Sequence, residues 1–460
     1  MKTQQLIGYG AMIRNLAVIT FSLLAAIATQ PTFASAQSVR VGNAAYGDWR
    51  TDAPGVMRKI TPADMPAPLA TPTTASRSKV IPRPAGAKLK TMPGFTVTAF
   101  VTGMTGARVL RTAPNGDIFL ALSRPEGKIM TIRAGADMSS PKVETFATGL
   151  RDAYGIAFYP PGPDPKWVYV GEFGKVVRFP YRNGDLTASG APQTVVSDLA
   201  TGGNHWTRDV AFSPDGKTMY VAVGSASNVA ADMGPRPANF AAFEKSHSPG
   251  SAWDREEWRA NVLTYTPEGK NKRVFASGVR NCSGLAVQPG TGTVYCATNE
   301  RDLLGDNLPP DYVTDVKQGA FYGWPWYYIG DHVDARPGGG PRPDLADKVT
   351  VPDVLLQPHS APLGMAFNPG GQFLPDWKGD AFVALHGSWN RALRTGYKII
   401  RVPFKDGKPT GEYQDFVIGF VANSQDVWGR PVDVTFAKDG SLLFSDDGNG
   451  VVYRVAYKLE

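Results

Sequence analysis

Short apolar segments with a two-residue period recur along the chain, and tight turns separate them in pairs. The clearest example is RDVAFSPDGKTMYVAVG, residues 208–224, in which two alternating segments flank a Ser-Pro-Asp-Gly sequence. Such alternation indicates half-buried strands, and a Pro-Asp-Gly sequence favours a turn between them. The pattern therefore predicts an antiparallel β-hairpin at this position.

The same hairpin pattern occurs six times. Its copies lie at residues 107–122, 154–172, 208–224, 283–298, 363–385 and 431–446. Each copy is followed by a third apolar segment such as KVVRFPY and preceded by another such as VETFATG. Four antiparallel strands repeated six times predict an all-β, six-bladed β-propeller, which we assign to residues 93–460 as the catalytic domain. The third strand of the fourth copy is the least distinct, and we place it around Val316 to Tyr322.

The first strand of this region lies outside any complete hairpin. Residues 94–100, GFTVTAF, have the pattern of an outer strand, whereas the last copy at the end of the chain has only three strands. We therefore expect the N-terminal strand to complete the last blade. Backbone hydrogen bonds would then join the two ends of the ring and leave no unpaired edge.

Residues 1–36 have the order of a secretory signal peptide. They contain two basic and no acidic residues, an apolar segment from Leu16 to Ala28, and Ala-Ser-Ala before Gln37. The apolar segment is too short to span a bilayer comfortably, so the sequence predicts cleavage after a small-residue site. The mature protein is expected to be periplasmic or secreted and not membrane-spanning.

Three further segments do not follow the repeat. Residues 37–92 contain seven prolines and little apolar periodicity, which predicts an extended N-terminal arm or linker. Residues 226–257 and 299–350 are too long for turns between blade strands. The Trp and Tyr residues of the second insertion favour a packed loop, and long ordered loops on a propeller usually cover a site.

Charge excludes one class of partner. The formal net charge is +7, and the basic residues do not cluster with aromatic residues. Nucleic-acid-binding faces have such clusters, so we expect no nucleic-acid partner.

The two cysteines, Cys282 and Cys296, would be oxidised after export if their geometry allowed it. Aligning their hairpin with residues 208–224 places the two residues three positions apart along the strands. That separation is about 10 Å, which is too far for a disulfide. We therefore expect no bridge unless the hairpin contains a bulge.

The segments that enter the inner strands of a propeller meet at one mouth of its central channel. In this chain those segments contribute cations, amides and histidines, namely Arg151, Tyr154, His205, Arg208, Arg280, Asn281, His359 and Arg430. Segments after the second strands add Glu300 and His386. Such a set suits a planar polyanion and a proton acceptor. The sequence has no nucleophile elbow, zinc motif or dinucleotide motif, so redox chemistry here would need a tightly held cofactor.

Several segments carry a family resemblance: GNHWTRDVAFSPDG, ASGVRNCSGLA, TNERDLLGDNLPPDY, FYGWP, ALHGSWNR and GRPVDVTFAKDGSLLFSDD. They resemble the sorbosone dehydrogenase group within the soluble, pyrroloquinoline-quinone-dependent aldose dehydrogenases, over roughly residues 90–458. The resemblance implies an exported quinoprotein that oxidises an aldose or a sorbosone-like keto-aldehyde by hydride transfer to pyrroloquinoline quinone (PQQ) beside Ca²⁺. The electrons would pass to a membrane quinone or a cytochrome.

The resemblance also implies roles for residues at the mouth. His205 matches the family's general base, and Arg280 is expected to stabilise negative charge on the substrate oxygen. Contacts with the quinone are expected from Arg151, Tyr154, Arg208, Asn281, His386 and Arg430. The stretch Asn299, Glu300 and Arg301 matches the segment whose backbone carbonyls hold calcium, an ion that prefers oxygen ligands.

This chain departs from the glucose-oxidising relatives at several of these positions. His386 stands where they have a lysine, and Arg430-Pro431-Val432 stands where they have Arg-x-Arg. The segment GLRDAYG replaces a glycine-rich glutamine segment, and Arg151 is expected to supply positive charge there. Glu300-Arg301 replaces Gly-Pro in the calcium segment.

Two other classes of function stay open at this point. A calcium-dependent lactonase-type hydrolase would need carboxylates on one metal at the channel centre, for which Glu300, Asp209 and Asp433 are the candidates. A non-catalytic propeller that binds a glycan or a protein partner is compatible with export and with the aromatic insertion.

Overall fold

A computed structural model describes residues 38–135 and 137–458. In this part of the chain, six antiparallel sheets of four or five strands surround a central channel. The inner strands of neighbouring sheets contact each other in a closed ring. The prediction of an all-β, six-bladed propeller is therefore confirmed. The predicted signal peptide lies outside the described residues.

The first three blades follow each other directly along the chain. From the inner to the outer strand, blade one consists of Ala107–Thr112, Ile118–Leu122, Lys128–Arg133 and Lys142–Ala147. Blade two consists of Ile156–Tyr159, Trp167–Glu172, Lys175–Pro180 and Gln193–Val196. Blade three consists of Val210–Phe212, Met219–Val223, Asn261–Tyr265 and Arg273–Ser277.

The last three blades include the strand from the start of the propeller. Blade four consists of Cys282–Val287, Val294–Thr298, Tyr312–Asp315 and Val354–Leu355. Blade five consists of Pro362–Phe367, Ala381–Leu385, Lys398–Val402 and Glu412–Val417. Blade six consists of Pro431–Phe436, Leu442–Asp446, Val451–Tyr457 and Phe95–Val101, so its outer strand comes from the N-terminal side of blade one.

Both faces of each blade are buried, because each blade packs between two others. In blade three, Val221 faces a cluster shared with blade two, whereas Tyr220 faces a cluster shared with blade four. The turn between the first two strands closes through a hydrogen bond from the Ser213 N–H to the Thr218 carbonyl oxygen, at 2.9 Å. Gly216 in that turn has a φ of +69°, which glycine adopts without strain. Apolar residues at alternating positions therefore fill the spaces between the blades.

The placement of the third strand of blade four around Val316 to Tyr322 is wrong. Tyr312–Asp315 pairs with the second strand instead. Val316 and Tyr322 are nevertheless buried, in the cluster between blades three and four. Their burial gives this connecting segment an apolar pattern like that of a strand.

The expectation of no disulfide is also wrong. Cys282 and Cys296 are bridged, with their Cα atoms 5.7 Å apart. The strand register shifts between Cys282, which pairs with Thr298, and Gly284, which pairs with Ala297. This bulge adds a residue to the inner strand and brings Cys282 within reach of Cys296.

Replacing both cysteines by serine is expected to lower the free energy of unfolding. The bridge spans 14 positions of the chain, and closing a loop of that size contributes about 3 kcal/mol. Urea unfolding followed by circular dichroism measures the difference. The wild-type protein unfolded in reductant is the control, and its free energy of unfolding should equal that of the double variant. Equal stability of the oxidised wild-type protein and the variant would contradict the expectation.

The N-terminal arm packs on the propeller. Met57–Lys59 adds a fifth strand to blade five by pairing with Glu412–Val417. Lys79–Val80 pairs in parallel with Asp426–Val427 at the entrance to blade six. The described residues form one compact unit.

A buried group of four charged side chains joins the arm to blade five. The Arg58 guanidinium lies 2.9 Å from Asp52 and 2.7 Å from Asp415. The Lys398 ammonium lies 2.9 Å from Asp52 and 2.8 Å from Asp415. No side chain of the four is more than 5% exposed. The two cations and two anions compensate each other where water is excluded.

The two insertions pack against each other. Phe240–His247 forms an α-helix, and a cluster beside it buries Trp253 together with Trp324 and Trp326. The indole N–H of Trp324 donates to the Asn228 carbonyl oxygen at 2.9 Å. The prediction of a packed aromatic loop is therefore confirmed, and this loop reaches the mouth of the channel through Asn228.

Short elements complete the described chain. Helices of the 3-10 type lie at Gly42–Ala45, Trp49–Thr51, Pro62–Asp64, Asp254–Glu256, Pro343–Lys348 and Pro375–Trp377. Two-residue antiparallel pairs join Tyr327–Tyr328 with His332–Val333 and Phe404–Lys405 with Lys408–Pro409. Within residues 38–135 and 137–458, no helix has the length and apolar character needed to cross a bilayer.

Candidate functional site

The segments entering the inner strands and those leaving the second strands meet at one mouth of the channel. Hydrogen bonds connect them between blades: the Ser225 N–H donates to the Arg280 carbonyl oxygen at 2.8 Å. Arg108 of blade one pairs with Asp447 of blade six at 2.8 Å. Residues distant in sequence therefore share one surface.

Below the mouth, an ionic group closes the channel. The Arg111 guanidinium lies 2.9 Å from Asp209 and 2.7 Å from Asp433. Both carboxyl groups also accept backbone N–H groups, and burial raises the pKa of Asp433 to about 6. Gly364 makes room for this group, because a Cβ atom there would lie 1.8 Å from Asp433. Asp209 and Asp433 are thus held by Arg111.

His205 has the geometry of a neutral proton acceptor. Its Nδ1 lies 2.8 Å from the Ser225 carbonyl oxygen, which can only accept, so Nδ1 carries the proton. The lone pair is therefore on Nε2. Burial, reinforced by the nearby Arg280 charge, lowers the pKa of His205 to about 3. The ring is consequently neutral at neutral pH.

Arg208 does not present its guanidinium at the mouth. It is fully buried and donates to the backbone carbonyl oxygens of His205, at 3.2 Å, and Thr207, at 2.7 Å. A third bond goes to the Ala200 carbonyl oxygen. Burial and the Arg259 charge lower its pKa to about 9. Arg208 therefore fixes the segment that carries His205, and the predicted contact with a cofactor has no support in this geometry.

Arg280 is held on several sides beside His205. Its Nη1 donates to the carbonyl oxygens of Asn299, at 3.3 Å, and Glu300, at 2.8 Å. Its Nη2 donates to Asn228 Oδ1 at 3.0 Å. The neighbouring Asn281 donates from Nδ2 to Ser283 at 3.0 Å, and its Oδ1 has no hydrogen-bond partner among the described residues.

The predicted calcium segment offers backbone oxygens and little else. The Asn299 and Glu300 carbonyl oxygens converge on one cationic nitrogen, so the same pair could bind a metal cation in its place. The side chains point elsewhere: Asn299 donates to the Pro362 carbonyl oxygen, and Arg301 pairs with Asp334 at 2.8 Å. Burial raises the pKa of Glu300 well above its ordinary value. Within residues 38–135 and 137–458, no three acidic, His or Cys side chains form a metal-binding group.

Asp447 organises the opposite side of the mouth. His386 Nε2 lies 3.0 Å from its carboxylate oxygens, and Arg430 Nε lies 2.9 Å away. Although burial opposes it, His386, Arg108 and Arg430 hold the pKa of Asp447 well below its ordinary value. The sequence pattern predicted two members of this group, His386 and Arg430. It missed Arg108, which lies within the inner strand of blade one, and Asp447, which directly follows the second strand of blade six.

Aromatic rings and guanidinium groups alternate along the remaining wall. The Trp206 ring lies between Arg108, at 5.3 Å, and Arg124, at 4.8 Å. Tyr154 is fully buried behind Trp206, and its hydroxyl has no hydrogen-bond partner among the described residues. Arg151 is exposed, with its guanidinium 5.0 Å from the Phe173 ring. This wall presents planar cations to the mouth.

His359 lies between blades four and five. Its Nε2 donates to the Gly305 carbonyl oxygen at 3.0 Å, and its Nδ1 lies 3.5 Å from Asp302. His359 was among the residues predicted at the mouth. Asp302, which follows the second strand of blade four, was not predicted. An acidic residue two positions after Glu300 was the available signal.

The closed ring and the cationic, histidine-containing mouth define a six-bladed propeller with a polar candidate site at one end of its channel. The chain belongs to the TrAA12-like family, which matches residues 89–318 and 344–458.

Two relatives show how far the sequence similarity extends. The chain is 25% identical over 417 residues to a pyrroloquinoline quinone-dependent pyranose dehydrogenase of Coprinopsis cinerea, covering 79% of this chain and 54% of that protein. It is 34% identical over 204 residues to an uncharacterized protein of Borreliella burgdorferi, covering 43% of this chain and 52% of that protein. The chain therefore spans about half the length of these curated relatives.

Solved structures share the fold. The PQQ domain of the C. cinerea pyranose dehydrogenase, in its holo form, superposes with a TM-score of 0.65 at 20% identity, covering 82% of this chain and 98% of that one. The PQQ-bound aldose sugar dehydrogenase of Streptomyces coelicolor superposes with a TM-score of 0.56 at 19% identity, covering 82% of this chain and 100% of that one. The narrower resemblance to sorbosone dehydrogenases stays a prediction.

Proposed function

We propose that this protein is a quinoprotein dehydrogenase that oxidises a sugar or a related aldehyde at the mouth of the channel, with PQQ as the cofactor. The observation that carries the proposal is the neutral His205, with Nε2 free, beside Arg280 in a mouth lined by guanidinium groups. Similarity to a PQQ-dependent pyranose dehydrogenase of Coprinopsis cinerea supports the choice of cofactor.

The residues present fit a planar molecule with several carboxylates. Arginine pairs with carboxylates through two parallel hydrogen bonds, and Arg151 and Arg430 both have exposed surface at the mouth. Asn281 Oδ1 and Arg108 Nε are buried polar atoms without a hydrogen-bond partner among the described residues. A bound polar ring would satisfy such atoms, which otherwise destabilise the protein.

The bound quinone would accept a hydride, which is one proton with two electrons, from the carbon that is oxidised. His205 Nε2 would take the proton of the hydroxyl on that carbon, which is present in a lactol or an aldehyde hydrate, so a C–H and an O–H bond break while a carbonyl forms. Arg280 stabilises the negative charge on that oxygen. The Ser225 carbonyl keeps His205 in the required tautomer throughout.

Calcium is a second part of the proposal. The Asn299 and Glu300 carbonyl oxygens would hold Ca²⁺, an ion that prefers oxygen ligands. The convergence of both oxygens on one cationic nitrogen supports this position.

The narrower assignments are proposals on sequence grounds. A sorbosone-like keto-aldehyde as substrate follows from the resemblance of segments such as ALHGSWNR. Export to the periplasm or the medium follows from the order of residues 1–36. A membrane quinone or a cytochrome would then accept the electrons.

Absorbance titration with PQQ, with and without Ca²⁺, tests the proposed function. Saturable binding is expected, and Arg430→Gln should weaken it about 10- to 100-fold because a charge-assisted hydrogen bond is lost. Arg182→Gln, which alters an arginine with an 85% exposed side chain, is the control and should bind like the wild-type protein. No absorbance change and no thermal shift on adding quinone would contradict the proposal and favour a non-catalytic propeller.

The lactonase alternative has less support. Of its three candidate carboxylates, Asp209 and Asp433 are paired with Arg111 below the mouth. Glu300 alone lies beside the converging carbonyl oxygens. Lactone hydrolysis by protein free of quinone would revive this alternative.

A further inference from the structure

The carboxylate of Asp302 is poorly satisfied where it lies. Its side chain is 16% exposed, and its neighbours are Arg280 Nη2 at 3.4 Å and His359 Nδ1 at 3.5 Å. Other ion pairs at the mouth are shorter, such as Arg430 with Asp447 at 2.9 Å. An ionised carboxylate can accept about four hydrogen bonds. Asp302 therefore retains acceptor capacity beside Arg280.

The loop that carries Asp302 is fixed from three directions. The Asp302 N–H donates to Asn228 Oδ1 at 2.8 Å, and the Leu303 N–H donates to Asn390 Oδ1 at 2.8 Å. The N-terminal arm supplies the third support, because the Asp306 N–H donates to Thr71 Oγ1 at 2.8 Å. The long distances around the carboxylate therefore occur in a loop whose backbone is well anchored.

His359 cannot move closer to Asp302 without losing a bond of its own. Its Nε2 already donates to the Gly305 carbonyl oxygen, within the same loop. Arg280 is likewise held by Asn228 and by the Asn299 and Glu300 carbonyl oxygens. Both neighbours are therefore held by hydrogen bonds other than their contacts with Asp302.

We propose that Asp302 binds a hydroxyl group of the substrate, one other than the hydroxyl that is oxidised. The substrate O–H donates to the Asp302 carboxylate, and its oxygen can accept from the Arg280 guanidinium. Asp302 then determines which polyhydroxylated compounds react, because a site built to bind a hydroxyl rejects an analogue that lacks it. This inference rests on the proposed function, since it concerns the same mouth.

The decisive experiment compares D-glucose with analogues that each lack one hydroxyl other than the hydroxyl that is oxidised, using the wild-type protein and Asp302→Asn, both reconstituted with PQQ and Ca²⁺. In the wild-type protein, one analogue should show kcat/KM about 10- to 100-fold below that of glucose. In Asp302→Asn, the ratio of kcat/KM for glucose to kcat/KM for this analogue should fall towards one. Because the ratio is taken within one variant, indirect effects on Arg280 cancel.

Three measurements control for indirect effects. PQQ affinity, measured by absorbance, should be unchanged in Asp302→Asn. Asp331→Asn, which alters an exposed carboxylate in the insertion, should keep the wild-type ratio. Thr71→Val should raise KM for glucose without changing kcat, and Thr71→Ser should restore it, because the hydroxyl of residue 71 positions the loop.

A wild-type ratio that persists in Asp302→Asn overturns the inference, and so does a wild-type protein that reacts equally with every analogue. If the wild-type protein binds no PQQ, the proposed function is contradicted, but sugar binding can still test this inference. Calorimetric titration of the unloaded protein with the same sugars should then show tighter binding of glucose than of one analogue, and loss of that difference in Asp302→Asn. Absence of any sugar binding overturns it.

Discussion

Replacing His205 by glutamine is expected to lower kcat about 10²- to 10⁴-fold, the range that general-base catalysis contributes. The neutral ring would offer its Nε2 lone pair to the substrate, because Nδ1 donates to the Ser225 carbonyl oxygen. A glutamine amide can donate to the same carbonyl but has no basic nitrogen to accept a proton. Turnover of a panel of sugars and aldehydes, with protein reconstituted with PQQ and Ca²⁺, measures the effect.

Quinone affinity separates a loss of chemistry from a loss of structure. Absorbance titration should show that His205→Gln binds PQQ as tightly as the wild-type protein does. His332→Gln is the matched control, because His332 also donates from Nδ1 to a backbone carbonyl, that of Ile329, but lies in the aromatic insertion. It should retain full turnover. Wild-type turnover in His205→Gln would show that another group accepts the proton.

The protonation of His205 gives an independent check. Burial and the Arg280 charge lower its pKa to about 3, so its NMR signal should not titrate between about pH 8 and pH 5. In the unfolded chain the ring has its ordinary pKa, near 6.5. The unfolded state therefore binds the extra proton first, and the protein loses stability as pH falls from about 6.5 towards 3. A signal titrating near 6.5, absent from His205→Gln, would contradict this.

Local periodicity was enough to predict the propeller and failed where the backbone departs from regular pairing. The strands of hairpin 208–224 alternate in sequence because each side chain enters one of two apolar clusters between blades. The bulge at Cys282 changes no residue type in that pattern, so the disulfide could not be predicted from it. Val316 is apolar and buried like a strand residue, although it lies in a segment that connects two strands.

The candidate site was predictable to the extent that it lies in segments entering inner strands. His205, Arg280 and Arg430 follow this rule and reach the mouth. Arg208 follows it too, but its guanidinium donates to carbonyl oxygens of its own segment. The direction of this side chain depends on its burial, which position in the sequence does not reveal. Asp302 became recognisable only from two distances, to Arg280 and to His359.

The arm illustrates the same difficulty in a segment without periodicity. Proline content predicted an extended chain but could not indicate where it binds. The contact depends on charge compensation between Asp52 and Arg58 of the arm and Lys398 and Asp415 of blade five. The sequence around each of these residues does not indicate which residue it pairs with. Because the arm also holds the Asp302 loop through Thr71, its attachment affects the mouth.

Asp415→Ala should therefore lower the free energy of unfolding by about 3 to 5 kcal/mol, the cost of leaving buried charges uncompensated. Arg58 and Lys398 would keep only Asp52 between them, with no access to water. Urea unfolding followed by circular dichroism measures the change. Asp164→Ala is the control, since it removes an exposed partner of Lys166, and a surface pair contributes only about 0 to 1 kcal/mol. Equal effects of the two substitutions would mean that water reaches the group of four charges, and that other contacts attach the arm.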